Sequence, residues 1–215
     1  VNTPYIDEDG EYAMGLIVQH LLERGHTKIA CIGQPESIMF SYIRLKSVKD
    51  HLLNAGFPLS PEYIRMGYFT QKEGYDEAQN LLNQQDPPTA IICFNDLLAF
   101  GAINAAKDKG LVIGKELAVT GFDDIPMAAH YRPPLTTILQ PIQGIGSMVV
   151  DLLIENIAIQ KGDKQLNKNA AIDSYRSDIP QNWKIEKVHH HHQLLLQPEH
   201  RYHKNGVFQG QAFFF

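Results

Sequence analysis

Between residues 7 and 162 the apolar positions change period repeatedly. In "DEDGEYAMGLIVQHLLERG", Ala13, Ile17 and Leu21 recur at i, i+4 and i+8, with acids in the first turn and Gly25 as a stop, which predicts a helix. "KIACIG" is an apolar run too short for a helix and predicts a buried strand. "SYIRLKSVKDHLLNAG" returns to the helical period, with Tyr42, Leu45, Val48 and Leu52 expected inward and Gly56 closing it. "YIRMGYF" predicts a strand, "KEGYDEAQNLLNQ" a helix with Tyr75, Ala78 and Leu82 inward, and "DPP" a turn. "TAIICFN" and "LAVTGFDD" predict strands on either side of the helix "DLLAFGAINAAKDKG", which ends at Gly110. "LTTIL" is expected as one more strand and "IGSMVVDLLIENIAIQKG" as a helix.

Strands that alternate with helices of this length pair in parallel, because each crossover must be long and right-handed. They are short, β-branched and apolar throughout, as when helices cover both faces of the sheet. The fold class expected is α/β, doubly wound. After Gly162 the chain turns polar and loses any sustained period through "DKQLNKNAAIDSYRSDIPQNWKIEKVHHHH". "QLLLQPEHRYH" regains a strand pattern, and "GQAFFF" leaves three terminal aromatics.

In open parallel sheets, ligands bind beyond the carboxyl ends of the strands. Those ends carry Gln34 and Pro35, Phe69 and Thr70, Asn95 and Asp96, and Asp123 and Asp124. An aromatic face beside carboxylates and an amide suits a small polyhydroxylated or otherwise polar ligand, the ring covering an apolar face while the polar groups pair its hydroxyls. Plainer readings stand beside this one. Asn95 or Asp96 caps the helix that follows, Asp124 caps the short "IPMAAH" turn, Phe69 is a core residue, and Arg44 is a solvated charge on a helix.

Composition narrows the chemistry. The chain has 215 residues, 44% hydrophobic and 20% charged, so it can bury a sizeable core. A net charge of −5 with no run of Lys or Arg offers no footprint for nucleic acid within these residues. Cys31 and Cys93 lie inside strand patterns and read as buried core thiols. No signal peptide opens the chain and no apolar run is long enough to span a membrane, so a cytoplasmic setting is expected. Phosphate-loop, GxGxxG, GxSxG and HExxH patterns are absent. "GIGS" at 144–147 opens a helix without a strand before it, and His189–His192 is a run rather than a spaced ligand set. No metal, cofactor or catalytic residue is expected, although Asp96, Asp123 and Asp124 keep a metal-dependent enzyme open as an alternative.

"RGHTKIACIG", "RLKSVKDHLLNAGF", "PPTAIICFNDLLAFGAINAAKDKG" and "LAVTGFDDIPMAAHYRPPLTTILQP" follow one another in the order and spacing of the LacI–GalR family of bacterial transcription regulators. They resemble its effector-binding core, which is similar to periplasmic sugar-binding proteins. The resemblance implies a two-lobe architecture with an incomplete N-lobe at 1–66, a C-lobe at 67–162, a polar insertion or linker at 163–192, and a final strand with an irregular tail at 193–215. By position it implies ligand contacts from Arg44, Phe69, Asn95, Asp123, Gln140 and Phe40, with Asp124 remaining a cap. It implies a small-molecule effector, a carbohydrate being the better fit, although Arg44 equally suits a carboxylate or phosphate. It further implies a homodimer, no membrane partner, and DNA contact only through a helix-turn-helix head that these residues do not contain. The departures are Ser47 and Val48, where the family has a glycine and an aromatic after the arginine, and the polar segment before the last strand. A stand-alone binding module without regulatory output is the other alternative.

Overall fold

The computed structural model describes residues 6–160, 196–202 and 208–212. Two compact units divide it: Gly10–Leu139 falls in one, and the segment from Gln140 through the helix Ile142–Gln160 in the other.

In the first unit four strands, β1 (Ile29–Gly33), β2 (Ile64–Met66), β3 (Ala90–Cys93) and β4 (Ala118–Thr120), form one sheet in the order β2-β1-β3-β4. Every pair is parallel, with Ile32 opposite both Arg65 and Cys93, and Ile91 opposite Val119. All four carboxyl ends therefore share one edge. Because β1 pairs with β2 on one side and β3 on the other, its end is the switch point of the sheet. The expected lobe boundary at residue 66 does not hold: β2, which lies before it, and β3, beyond it, both hydrogen-bond to β1.

Helices α1 (Gly10–Glu23) and α2 (Met39–Asn54) cover one face, where Ala13, Ile17, Leu21, Leu45, Val48 and Leu52 pack on Ile29, Cys31, Ile92 and Phe94. Helices α3 (Gln71–Leu82) and α4 (Asp96–Asp108) cover the other, where Ala78, Leu81, Leu98 and Ile103 pack on Ala30, Ile32, Ile91 and Cys93. Alternate residues of each strand thus serve opposite layers. The α3–α4 crossing is tight: a Cβ on Gly74 would lie 2.2 Å from the Leu98 carbonyl oxygen, and one on Gly101 2.1 Å from that of Gln71. Cys31 and Cys93 are buried free thiols in this core, and burial pushes the Cys31 thiol up to about 12.

The helix starts are set locally. Thr70 Oγ1 accepts the Glu73 N–H at 3.3 Å and donates to the Glu73 carboxylate at 2.9 Å, which caps the head of α3. Asn95 caps α4, its Oδ1 accepting the Leu98 N–H at 2.8 Å. The inward face of α2 differs from expectation. It runs through Ser41, Arg44, Leu45, Val48 and Leu52, so Tyr42 falls a third of a turn away and is exposed. Asp124 is no cap either: the short helix α5 (Met127–His130) has Pro126 at its N-cap.

"LTTIL" follows β4 as two isolated parallel bridges, Thr120 with Thr136 and Asp123 with Leu139, rather than as a full strand. The Gly121 and Asp123 N–H groups donate across it, to the Thr136 and Ile138 carbonyls, each at 2.9 Å.

The second unit contains helix α6 (Ile142–Gln160), which exposes Ile142, Val150, Leu153 and Ile154. Strands β5 (Leu196–Tyr202) and β6 (Phe208–Ala212) form a separate two-stranded sheet. The expected linker at 163–192, with its histidine run, lies outside the described residues. Among the described residues no helix is long and apolar enough to cross a membrane.

Candidate small-molecule site

The carboxyl edge of the sheet gathers most of the residues singled out by the sequence. Arg44 points from α2 under this edge and is 4% exposed, so the reading of it as a solvated charge fails. Its Nη1 donates to the Phe94 carbonyl at 2.6 Å, just past β3. Its guanidinium lies 3.5 Å from the centroid of the Phe122 ring and 4.9 Å from that of Phe40. Planar stacking on aromatic faces together with a directed hydrogen bond is what a guanidinium offers and an ammonium does not.

Phe40 carries the contact outward. Its ring centroid is 6.1 Å from that of Phe69, tilted by 50°, within the range of an attractive aromatic pair. Phe69 is 44% exposed and so is not core within this unit; it offers its ring at the rim. One chain of contacts therefore runs Phe69–Phe40–Arg44. It then branches to Phe94, next to Asn95, and to Phe122, next to Asp123. Asn95 spends its Oδ1 on the helix cap and is buried at this edge. The cap reading of that residue therefore holds.

Asp123 and Asp124 follow β4 with φ of 116° and 51°, consecutive non-glycine residues on the left-handed side. Such conformations cost roughly 1–3 kcal/mol each and persist only where the surroundings over-determine them, which is common at ligand sites. Asp96 lies behind them, fully buried. Its Oδ1 accepts from Thr137 Oγ1 at 2.5 Å and its Oδ2 from the Ile125 N–H at 2.8 Å. Burial raises its pKa to about 7. The two hydrogen bonds oppose that rise, and the Asp123 and Asp124 carboxylates add to it. With both oxygens directed inward, Asp96 does not join Asp123 and Asp124 as a cation-binding set.

The roles of Phe122, Thr137 and Asp96 were not foreseen. Phe122 and Thr137 sit in apolar or strand-like patterns that give no sign of a polar partner. The buried Gln34 amide at the end of β1 finds no hydrogen-bond partner among the described residues. Gln140 heads the second unit and keeps only the support of the resemblance.

Comparison with known proteins gives the fold a family. The periplasmic binding protein-like domain matches residues 18–172. The HTH-type transcriptional repressor CytR of Escherichia coli (strain K12) is 39% identical over 140 residues, which are 65% of this chain and 41% of the repressor. The HTH-type transcriptional repressor PurR of Actinobacillus pleuropneumoniae serotype 3 is 37% identical over 150 residues, 70% of this chain and 45% of that protein. The chain thus spans less than half the length of these relatives. A LacI-family regulatory protein from Chloroflexus aggregans superposes with a TM-score of 0.70 at 35% identity, covering 75% of this chain and 57% of its own. The lac repressor dimer bound to operator and the anti-inducer ONPF does so with a TM-score of 0.67 at 32% identity, covering 74% and 54%. The chain belongs to the periplasmic binding protein-like domain family, as an effector-binding core of the LacI type.

Proposed function

We propose that this chain supplies the effector-binding part of a LacI-type transcriptional repressor, and that the effector, a carbohydrate or a molecule bearing a sugar ring, sits on the carboxyl edge of the sheet. The contact chain from Phe69 through Phe40 and Arg44 to the neighbours of Asn95 and Asp123 carries this reading. Phe69 covers an apolar face of the ring, and Asp123 and the Asn95 Nδ2 pair its hydroxyls. Arg44 holds Phe40, Phe94 and Phe122 in fixed relation, and with Phe40 it lines the floor.

Regulation then follows from differential affinity. An effector that binds one arrangement of the repressor better shifts the population toward it, and DNA bound elsewhere in the protein senses the shift. The names of the relatives support a DNA-binding head and a homodimer in the whole protein. The relatives being repressors supports binding rather than catalysis, and Asp96, turned away from the rim, does not complete a three-aspartate metal site.

Calorimetric titration with a panel of aldopentoses, aldohexoses and nucleosides tests the proposal. At least one panel member should bind, and Phe69→Ala or Asp123→Asn should weaken it by about tenfold or more. Equal affinity in both variants and the wild type would overturn the reading.

A further inference from the structure

We propose that Asp96 is a positioning residue of the rim: its buried carboxylate ties the Asp123–Ile125 turn and the Thr137 segment to the head of α4, and so sets where the Asp123 side chain stands. The inference rests on the rim being the effector site only for its functional meaning; the tie itself can be read without a ligand.

The argument is geometric. Two successive residues with positive φ cannot hold their place unaided, because an L side chain there meets its own backbone. The turn needs fixing on both sides of the strained pair. On the near side the backbone does this, with the Gly121 and Asp123 N–H groups donating to Thr136 and Ile138. On the far side the Ile125 N–H donates to Asp96 Oδ2, across 29 residues of sequence. The second oxygen takes the Thr137 hydroxyl, across 41 residues. One side chain therefore joins three segments at this edge. It is not spent on capping its own helix, since Asn95 does that.

The fit around it is equally close. A Cβ on Gly121 would lie 2.3 Å from Asp96 Oδ1, so the carboxylate reaches its partners only because residue 121 is glycine. The charged groups acting on Asp96 are the Asp123 and Asp124 carboxylates, and the Cys93 thiol of β3 is influenced by it in turn. Asp96 thus titrates among the residues it positions, and its ionisation can be followed through the amide it holds.

The test uses the full chain, labelled with nitrogen-15. In the wild type the Ile125 amide resonance should follow a single ionisation with a midpoint about 7. In Asp96→Asn that titration should vanish, and amide-exchange protection across 121–125 should fall about tenfold while Ala30–Ile32 and Ile91–Cys93 keep theirs. Thr137→Val removes a donor to the anion and should move the Ile125 midpoint to higher pH; should Asp96→Asn not fold, this variant decides alone. An Ile125 resonance that does not titrate, a midpoint unmoved in Thr137→Val, or protection lost evenly over the whole sheet would overturn the proposal. Failure of every sugar to bind would count against the effector site and leave these shifts untouched, so the two failures are distinguishable.

Discussion

At the residue scale, Arg44 shows how far a charge can be misread from its neighbours in sequence. Its position on α2 gave no sign of burial until the resemblance marked it, because Tyr42 and not Arg44 completed an apolar face. In the structure the guanidinium packs between Phe40 and Phe122 and satisfies the Phe94 carbonyl. Arg44→Ala should therefore cost about 2–3 kcal/mol in urea unfolding, from a lost charged hydrogen bond and two unpacked rings. Arg44→Lys should recover less than half of that, since an ammonium keeps the charge but not the planar stack.

Asp96 has a pH signature whose sign can be worked out. Its native pKa of about 7 lies above the ordinary 3.8, so between these values the native state holds a proton that the unfolded chain has released. Stability from this group is greatest at low pH, falls as pH rises through that window, and levels off above it. Asp96→Asn removes the slope. The Tm of the variant relative to the wild type should rise from about pH 5 to 8; a constant difference would contradict the assignment.

At the scale of elements, most of the first unit was legible. The period of the apolar positions placed every helix and strand up to β4 within a few residues, and the stops at Gly25 and Gly56 take the positive φ that a helix end of this kind requires. What periodicity could not show is which elements share a sheet. The resemblance implied a lobe boundary at 66, yet β1 pairs with both β2 and β3, which is a matter of topology. Nor could periodicity show that Gly74 and Gly101 are where α3 and α4 touch backbone to backbone. Gly101→Ala should therefore lower stability by about 2–3 kcal/mol, despite the better helix propensity of alanine. Chemical denaturation measures it, and a stabilised variant would mean the helices separate freely.

At the scale of the whole molecule, the site rests on sheet order more than on any single motif. Strand order β2-β1-β3-β4 brings Phe69, Asn95 and Asp123 to one edge from loops far apart in sequence. The chain accounts for less than half of the relatives' length, so DNA contact and dimer formation belong to the whole protein as proposals. The measurement that bears most directly on the ligand edge is a nitrogen-15 spectrum of the full chain during titration with the sugar and nucleoside panel. The account expects shifts grouped at Phe40, Phe69, Asn95 and Asp123, with Lys28 and Asp86 at the opposite end of the strands unmoved. Shifts centred on Lys28 and Asp86, or none at the carboxyl edge with any member of the panel, would contradict it.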